Sequence, residues 1–206
     1  MSEKPGLKLI SEDTASDGRK ARSQRSREQI VDALFTLIEA GDMNPSAASV
    51  AEEAGVGLRT VFRHYDDMDG LYREMSERMD REILPIVMTP WEAQSWRGRV
   101  HELIARRAKI YERIMPVKVA AGLRRFASPQ LGHTYRQFLT MEQAGLRAIL
   151  PERVARDETL VGALELLTGF QAWRRLRQDQ QLPAATAEAV LIRSVDALLK
   201  DVSDEA

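Results

Sequence analysis

Cysteine is absent from this chain of 206 residues. Disulfides and thiolate metal sites are thereby excluded, and a reducing compartment suits the composition. Long apolar runs are also missing. No segment approaches the roughly 20 apolar residues that a membrane-spanning helix needs. The first residues, MSEKPGLKLISEDTASDGRK, lack the apolar core of a secretion signal, so the protein is expected in the cytoplasm. Net charge is nearly absent too, at −1. That sum argues weakly against a nucleic-acid partner, but local patches rather than totals decide phosphate attraction. No stretch alternates apolar and polar residues long enough for a strand, and no repeat of solenoid period occurs.

The signatures of common chemistries are missing as well. The three histidines are His64, His101 and His133, and no two are three to five residues apart. A helix-borne metal pair is therefore not expected. No Gly-rich loop ends in Lys-Ser or Lys-Thr, and no Gly-x-Ser-x-Gly elbow occurs. Carboxylate pairs such as Glu52-Glu53 sit on amphipathic segments, where they are ordinarily solvated. The sequence is read as that of a non-enzyme, with no cofactor and no metal.

What the sequence does contain is a compact pattern at Ser46 to Tyr65, SAASVAEEAGVGLRTVFRHY. Ser46 can cap a short helix with its hydroxyl. Val50, Ala51 and Ala54 form a narrow apolar stripe, and the alanines let a second helix cross closely. Gly55 stands where that helix must stop, in a conformation that suits glycine. Val61 and Tyr65, four apart, are predicted to face inward on the second helix. Leu58, Arg59, Thr60, Arg63 and His64 are then left on its outer surface. This is the arrangement of a DNA-binding helix-turn-helix, whose second helix enters the major groove.

The run VAEEAGVGLRTVFRHYDDMDGLYREM resembles the DNA-binding domain of TetR-family bacterial transcription regulators. The matching positions are Val50-Ala51-Glu52-Glu53-Ala54-Gly55-Val56, then Thr60, Val61, Phe62, His64 and Tyr65. The similarity runs from about Ile30 to Tyr72. Two positions depart from the family pattern. Gly57 replaces the usual Ser, which weakens the cap of the second helix. Met68 replaces a Lys that would contact phosphate. Ser46, Leu58, Arg59, Thr60, Phe62, Arg63 and His64 are the DNA-contacting candidates that motif and resemblance together supply.

Ahead of the motif, Arg19, Lys20, Arg22, Arg25 and Arg27 fall within nine residues. Residues 1–22 are expected as a disordered basic arm, with Arg25 and Arg27 following phosphates just beyond it. A first helix is predicted from Ser23 or Ser26 to Ala40, ended by Gly41. A fourth is predicted from Asp67 to about Val87, kinked or ended near Pro85. Further helices are expected over Trp96 to Met115, Val117 to Phe126, Leu131 to Leu150, Thr159 to Asp179 and Ala184 to Val202. The class is all-α, with about nine helices. Residues 23–66 form the DNA-binding domain and 67–206 a helical effector-binding and dimerisation domain.

By periodicity the aromatic and methionine residues of the later helices are mostly core. The family resemblance implies a small-molecule pocket among them, with Trp96, His101, Tyr111, Met115, Tyr135, Phe138, Glu142 and Phe170 as candidates. The last two long helices are apolar on more than one face, so the second face needs a partner. The resemblance implies a four-helix homodimer interface there, with Leu166, Phe170, Trp173, Leu191, Val195 and Leu198 as candidates. It also implies a dimeric regulator on double-stranded, pseudo-palindromic operator DNA. A repressor released by an unknown small effector, away from any membrane, is the expectation. Two alternatives stay open: an all-α enzyme or binding protein using the motif to pack a protein, and a nucleoid-type DNA binder.

Overall fold

A computed structural model describes residues 11–203, with side chains from Lys20 onward. Among these residues ten α-helical segments and one π-helical turn occur, and no strand. The chain divides into two compact units, Met1–Met75 and Ser76–Ala206.

In the first unit, α1 (Ser11–Glu39), α2 (Ala47–Glu53) and α3 (Leu58–His64) pack on one another, and the first turns of α4 (Met68–Val87) complete it. Ile30, Leu34, Ile38, Val50, Ala51, Val61, Tyr65, Leu71, Tyr72 and Met75 are among its buried side chains. Each large aliphatic among them contributes about 1.5–3 kcal/mol of burial free energy. Both turns depend on glycine. Gly41 has φ +100° and Gly55 φ +63°. Gly55 N donates to Glu52 O at 3.0 Å and Val56 N to Ala51 O at 2.9 Å, the paired bonds of a Schellman end. Ser46 caps α2 as expected, its Oγ accepting from Ser49 N at 3.0 Å. Gly57 caps α3 with no side-chain bond.

Two expectations about this unit are corrected. α1 begins at Ser11, so residues 11–22 are helical rather than a disordered arm. A polar segment can still be helical, since polarity and lack of helix are different properties. The expectation for residues 1–10, and for the side chain of Arg19, lies outside the described residues. The division between units falls after Met75 rather than after Asp66. The early turns of α4 supply Glu74, which is bonded to Arg27 of α1.

In the second unit, α5 (Trp96–Arg124) is the central element. It contacts α6 (Pro129–Arg147), α8 (Glu158–Thr168), α9 (Phe170–Arg174) and α10 (Ala184–Leu199), while α7 (Glu152–Ala155) is a short link. The break expected at Met115-Pro116 does not occur, because α5 continues through Pro116. Ile114, Met115, Val117 and Ala120 are all buried around it, and that packing outweighs one lost backbone bond. α4 likewise continues past Pro85 to Val87. Conversely, the helix expected from Thr159 to Asp179 is broken at Gly169, which is extended at φ −78°, ψ 162°. After Gly169, α9 runs into the π-helical turn Arg175–Asp179.

Candidate nucleic-acid interface and ligand cavity

The seven residues of α3 divide cleanly. Val61 is buried, with Tyr65 beneath the helix end, whereas Leu58 and Phe62 are 45% and 50% exposed. Arg59 and Arg63 are exposed beside them and make no hydrogen bond or ion pair with described residues. Thr60 is half-buried. The outward face therefore offers two unengaged guanidinium groups flanked by two apolar side chains. That combination suits base edges: arginine can bond guanine bidentately, and apolar groups meet the thymine methyl. Ser46 is exposed at the start of α2, with its Oγ 2.8 Å from Ser49 Oγ. Arg25 is exposed and unengaged among the described residues.

Arg27 is a correction. Its Nε donates to Glu74 Oε1 and Oε2 at 2.9 and 2.7 Å. Its Nη2 lies 2.5 Å from Glu74 Oε2. The guanidinium also sits 5.6 Å from the Tyr65 ring centroid. Tyr65 Oη in turn donates to Glu74 Oε2 at 2.9 Å. Bonding to Glu74 pushes the Arg27 pKa up. Burial, then the bond to Glu74, pushes the Tyr65 phenol up as well. Arg27 thus ties α1 to α4 and to the end of α3, and is not the unengaged cation that the basic run suggested. His64 is corrected in part. Its Nε2 is buried without a partner among the described residues. Burial, then the charges of Arg63 and Arg27, lowers its pKa.

The second unit contains a cavity of about 300 Å³ between the C-terminal half of α4, α5 and α6. Its wall is mostly apolar: Ile83, Leu84, Val87, Leu103, Ile110 and Met141, with Trp91 and Phe138. Polar side chains gather at Asp80, Arg106, Arg107, Tyr111 and Glu142. Arg106 stacks 3.9 Å from the Trp91 centroid and donates to Val87 O, Pro90 O and Glu102 Oε1. Arg107 is buried. Its Nη1 donates to Thr168 Oγ1 at 2.8 Å and its Nη2 to Glu142 O. Glu142 Oε1 accepts from Tyr111 Oη and from Phe170 N, the latter at 3.1 Å. Burial raises the pKa of Glu142 and of Tyr111.

Of the expected pocket residues, Tyr111, Phe138 and Glu142 line this cavity. Phe170 is packed edge-on to Tyr111 and Phe138, with centroids 5.5 and 6.3 Å away. It lines a second cavity of about 250 Å³ on the other side of Glu142. The other four are corrected. Met115 is core. Trp96 is half-buried and stacked by Arg97 at 4.7 Å. His101 Nε2 pairs with Asp196 Oδ1 of α10 at 2.6 Å. Tyr135 is stacked by Arg125 at 3.9 Å. Arg106, a polar anchor by its position among the aromatic residues of α5, is in the lining, whereas sequence reasoning missed Asp80, Arg107 and the α4 residues. The i, i+3, i+4, i+7 spacing of Asp80, Ile83, Leu84 and Val87 was the available signal.

The interface candidates also divide. Phe170, Trp173, Leu191 and Val195 are between 0% and 4% exposed within one chain, so they belong to its core rather than to an exposed face. Trp173 Nε1 donates to Glu112 Oε1 at 2.8 Å, and Arg177 bonds the same carboxylate. Leu166 is 73% exposed on α8, and Leu198 on α10 is half-buried. Among the described residues no three His, Asp or Glu side chains are grouped as a metal site would require. Nor is any helix there long and apolar enough to cross a membrane.

No family model and no curated protein sequence matches the chain. Solved structures do. A transcriptional regulator from Rhodococcus sp. Rha1 superposes with a TM-score of 0.64 at 21% identity, over 84% of this chain and 96% of that one. A structure described as a TetR-family transcriptional regulator from Mesorhizobium loti MAFF303099 gives 0.52 at 18% identity, over 87% and 97%. The all-α fold of this chain is therefore the fold of TetR-family transcriptional regulators.

Proposed function

We propose that the protein is a dimeric, sequence-specific DNA-binding transcription regulator of the TetR family, acting as a repressor released by a small molecule. The observation that carries this reading is the outward face of α3. Arg59 and Arg63 stand there unengaged between exposed Leu58 and Phe62, on a helix held by a glycine-closed turn. Two copies related by a two-fold axis would set two such helices in successive major grooves of a pseudo-palindromic site. The exposed side of α8 and α10, with Leu166 and Leu198, is the surface we assign to that contact. Lys20 and Arg25 on α1 add sequence-independent attraction to phosphate.

The effector site is the 300 Å³ cavity, whose size is at the small end for ligand pockets. α4 lines it with Ile83, Leu84 and Val87 and continues unbroken toward Met68 beside the motif. A ligand that prefers one setting of α4 would shift the dimer between DNA-binding and released forms. A coupling of about 1–3 kcal/mol would weaken operator binding several- to a hundred-fold. We read no catalytic role, and place the work of the protein in the cytoplasm. The test is footprinting of the promoter beside its own gene. Protection of an inverted repeat supports the reading. Protection without sequence preference would favour a nucleoid-type binder, and no protection would remove DNA from the account.

A further inference from the structure

The polar groups of the 300 Å³ cavity are unevenly satisfied, and the imbalance specifies the ligand. The cavity's cationic groups are engaged. Arg106 has Glu102, two backbone carbonyls and the face of Trp91. Both terminal nitrogens of Arg107 donate to Thr168 and to the Glu142 carbonyl. The Tyr111 hydroxyl proton is directed at Glu142. The acceptors are not engaged to the same degree. Among the described residues neither oxygen of Asp80 accepts a hydrogen bond, and only Oε1 of Glu142 does. The acceptors with spare capacity on this wall are therefore carboxylate oxygens, at two places, while Arg106, Arg107 and Tyr111 already hold partners.

Lys118 is a further cation that interacts electrostatically with Asp80 and Glu142. Its Nζ lies 4.0 Å from the Phe138 centroid, and it is not one of the lining residues. It balances Asp80 and Glu142 from behind the wall without closing on either, and its own pKa is lowered by burial. The cations Arg107 and Lys118 thus offset Asp80 and Glu142 in number, while Arg106 is offset by Glu102. A ligand carboxylate would enter beside two carboxylates, and the lining guanidiniums it could reach already hold partners. An uncompensated charge of that kind is costly to desolvate.

We infer that this cavity takes a predominantly apolar small molecule whose polar end donates hydrogen bonds, a hydroxyl or an ammonium group, to Asp80 and Glu142, and that it rejects the corresponding carboxylic acids. The inference rests on the reading of the cavity as the effector site, and adds the chemistry of the effector. The apolar body lies along Leu103, Ile110 and Met141, and the donor end reaches the two carboxylates.

The test measures binding to the full chain without DNA, by calorimetry, using octan-1-ol, octylammonium and octanoate as probes. The alcohol and the ammonium are expected to bind at least about tenfold tighter than octanoate, the factor that one unmatched polar contact readily supplies. Asp80→Asn and Glu142→Gln should each narrow that gap. Gly145→Met serves as the location control. A Cβ at Gly145 meets nothing closer than Arg107 Nη2 at 4.0 Å, so a longer side chain can fill the cavity without a backbone clash. It should abolish binding of all three probes. Octanoate binding as tightly as the alcohol, an unchanged gap in both carboxylate variants, binding that survives Gly145→Met, or no binding by any probe would each overturn the inference. The outcome is separable from the proposed function. A correct ligand preference with no effect on operator DNA would count against the regulator reading alone.

Discussion

Replacing Glu74 with Ala tests the network that fixes the end of α3. Glu74 receives Arg27 through Nε and Nη2, and the Tyr65 hydroxyl at 2.9 Å. The two ionic partners are unequally placed. The Arg27 side chain is 47% exposed and that of Glu74 21%. An ion pair so open to solvent contributes about 0.2–1 kcal/mol. Tyr65 differs, being only 5% exposed. Removing Glu74 leaves its buried hydroxyl without that acceptor, which costs about 1–3 kcal/mol. Glu74→Ala is therefore expected to destabilise the protein by about 1.5–3 kcal/mol, and Arg27→Ala by less than about 1 kcal/mol. Denaturant unfolding measures both, and a double-mutant cycle isolates the pair. Arg27→Ala should leave the salt dependence of DNA binding almost unchanged. An Arg27→Ala protein of native stability whose log K against log salt slope flattens by about 0.9 would refute the reasoning. Arg27 would then be a phosphate ligand after all.

Other outcomes follow from single positions. Arg59→Ala should cost about 1–3 kcal/mol of specific binding and relax preference at one position of each half-site, measured by competition with substituted sites. Gly55→Ala forces a side chain into the left-handed region at φ +63°, and should lower stability by about 1–2 kcal/mol with no steric clash involved. Leu166→Asp should yield folded monomers in sedimentation, because that side chain is 73% exposed in one chain. Trp173→Ala should instead cost about 3–5 kcal/mol of stability, since the indole is core.

The helix-turn-helix was legible in the sequence because its determinants are local. Ser46, Gly55, Val61 and Tyr65 act within twenty residues, and each has a backbone or packing role that its type announces. The all-α class was legible from periodicity for the same reason. What escaped depends on distant pairs. Arg27 looked like one more member of a basic run, and its partner Glu74 lies 47 positions away. Pro116 looked like a helix end because burial on every side of it is a tertiary property. Trp173 and Val195 looked available to a second subunit because periodicity reports apolar faces without saying which neighbour covers them. The cavity was half legible. Its α5 and α6 residues belong to an aromatic-rich stretch, whereas its α4 wall, Ile83, Leu84 and Val87, lies outside that stretch.

Selection from a pool of random duplex DNA with the purified full-length protein tests the central claim, that α3 reads sequence in a symmetric dimer. The account predicts enrichment of an inverted repeat whose half-sites are centred one or two helical turns apart, roughly 10 or 21 base pairs. It further predicts that Arg59→Ala loses information at one symmetry-related pair of positions and keeps the spacing. A pool that stays unenriched, or an enriched motif that is unaltered by Arg59→Ala and Arg63→Ala alike, would contradict it.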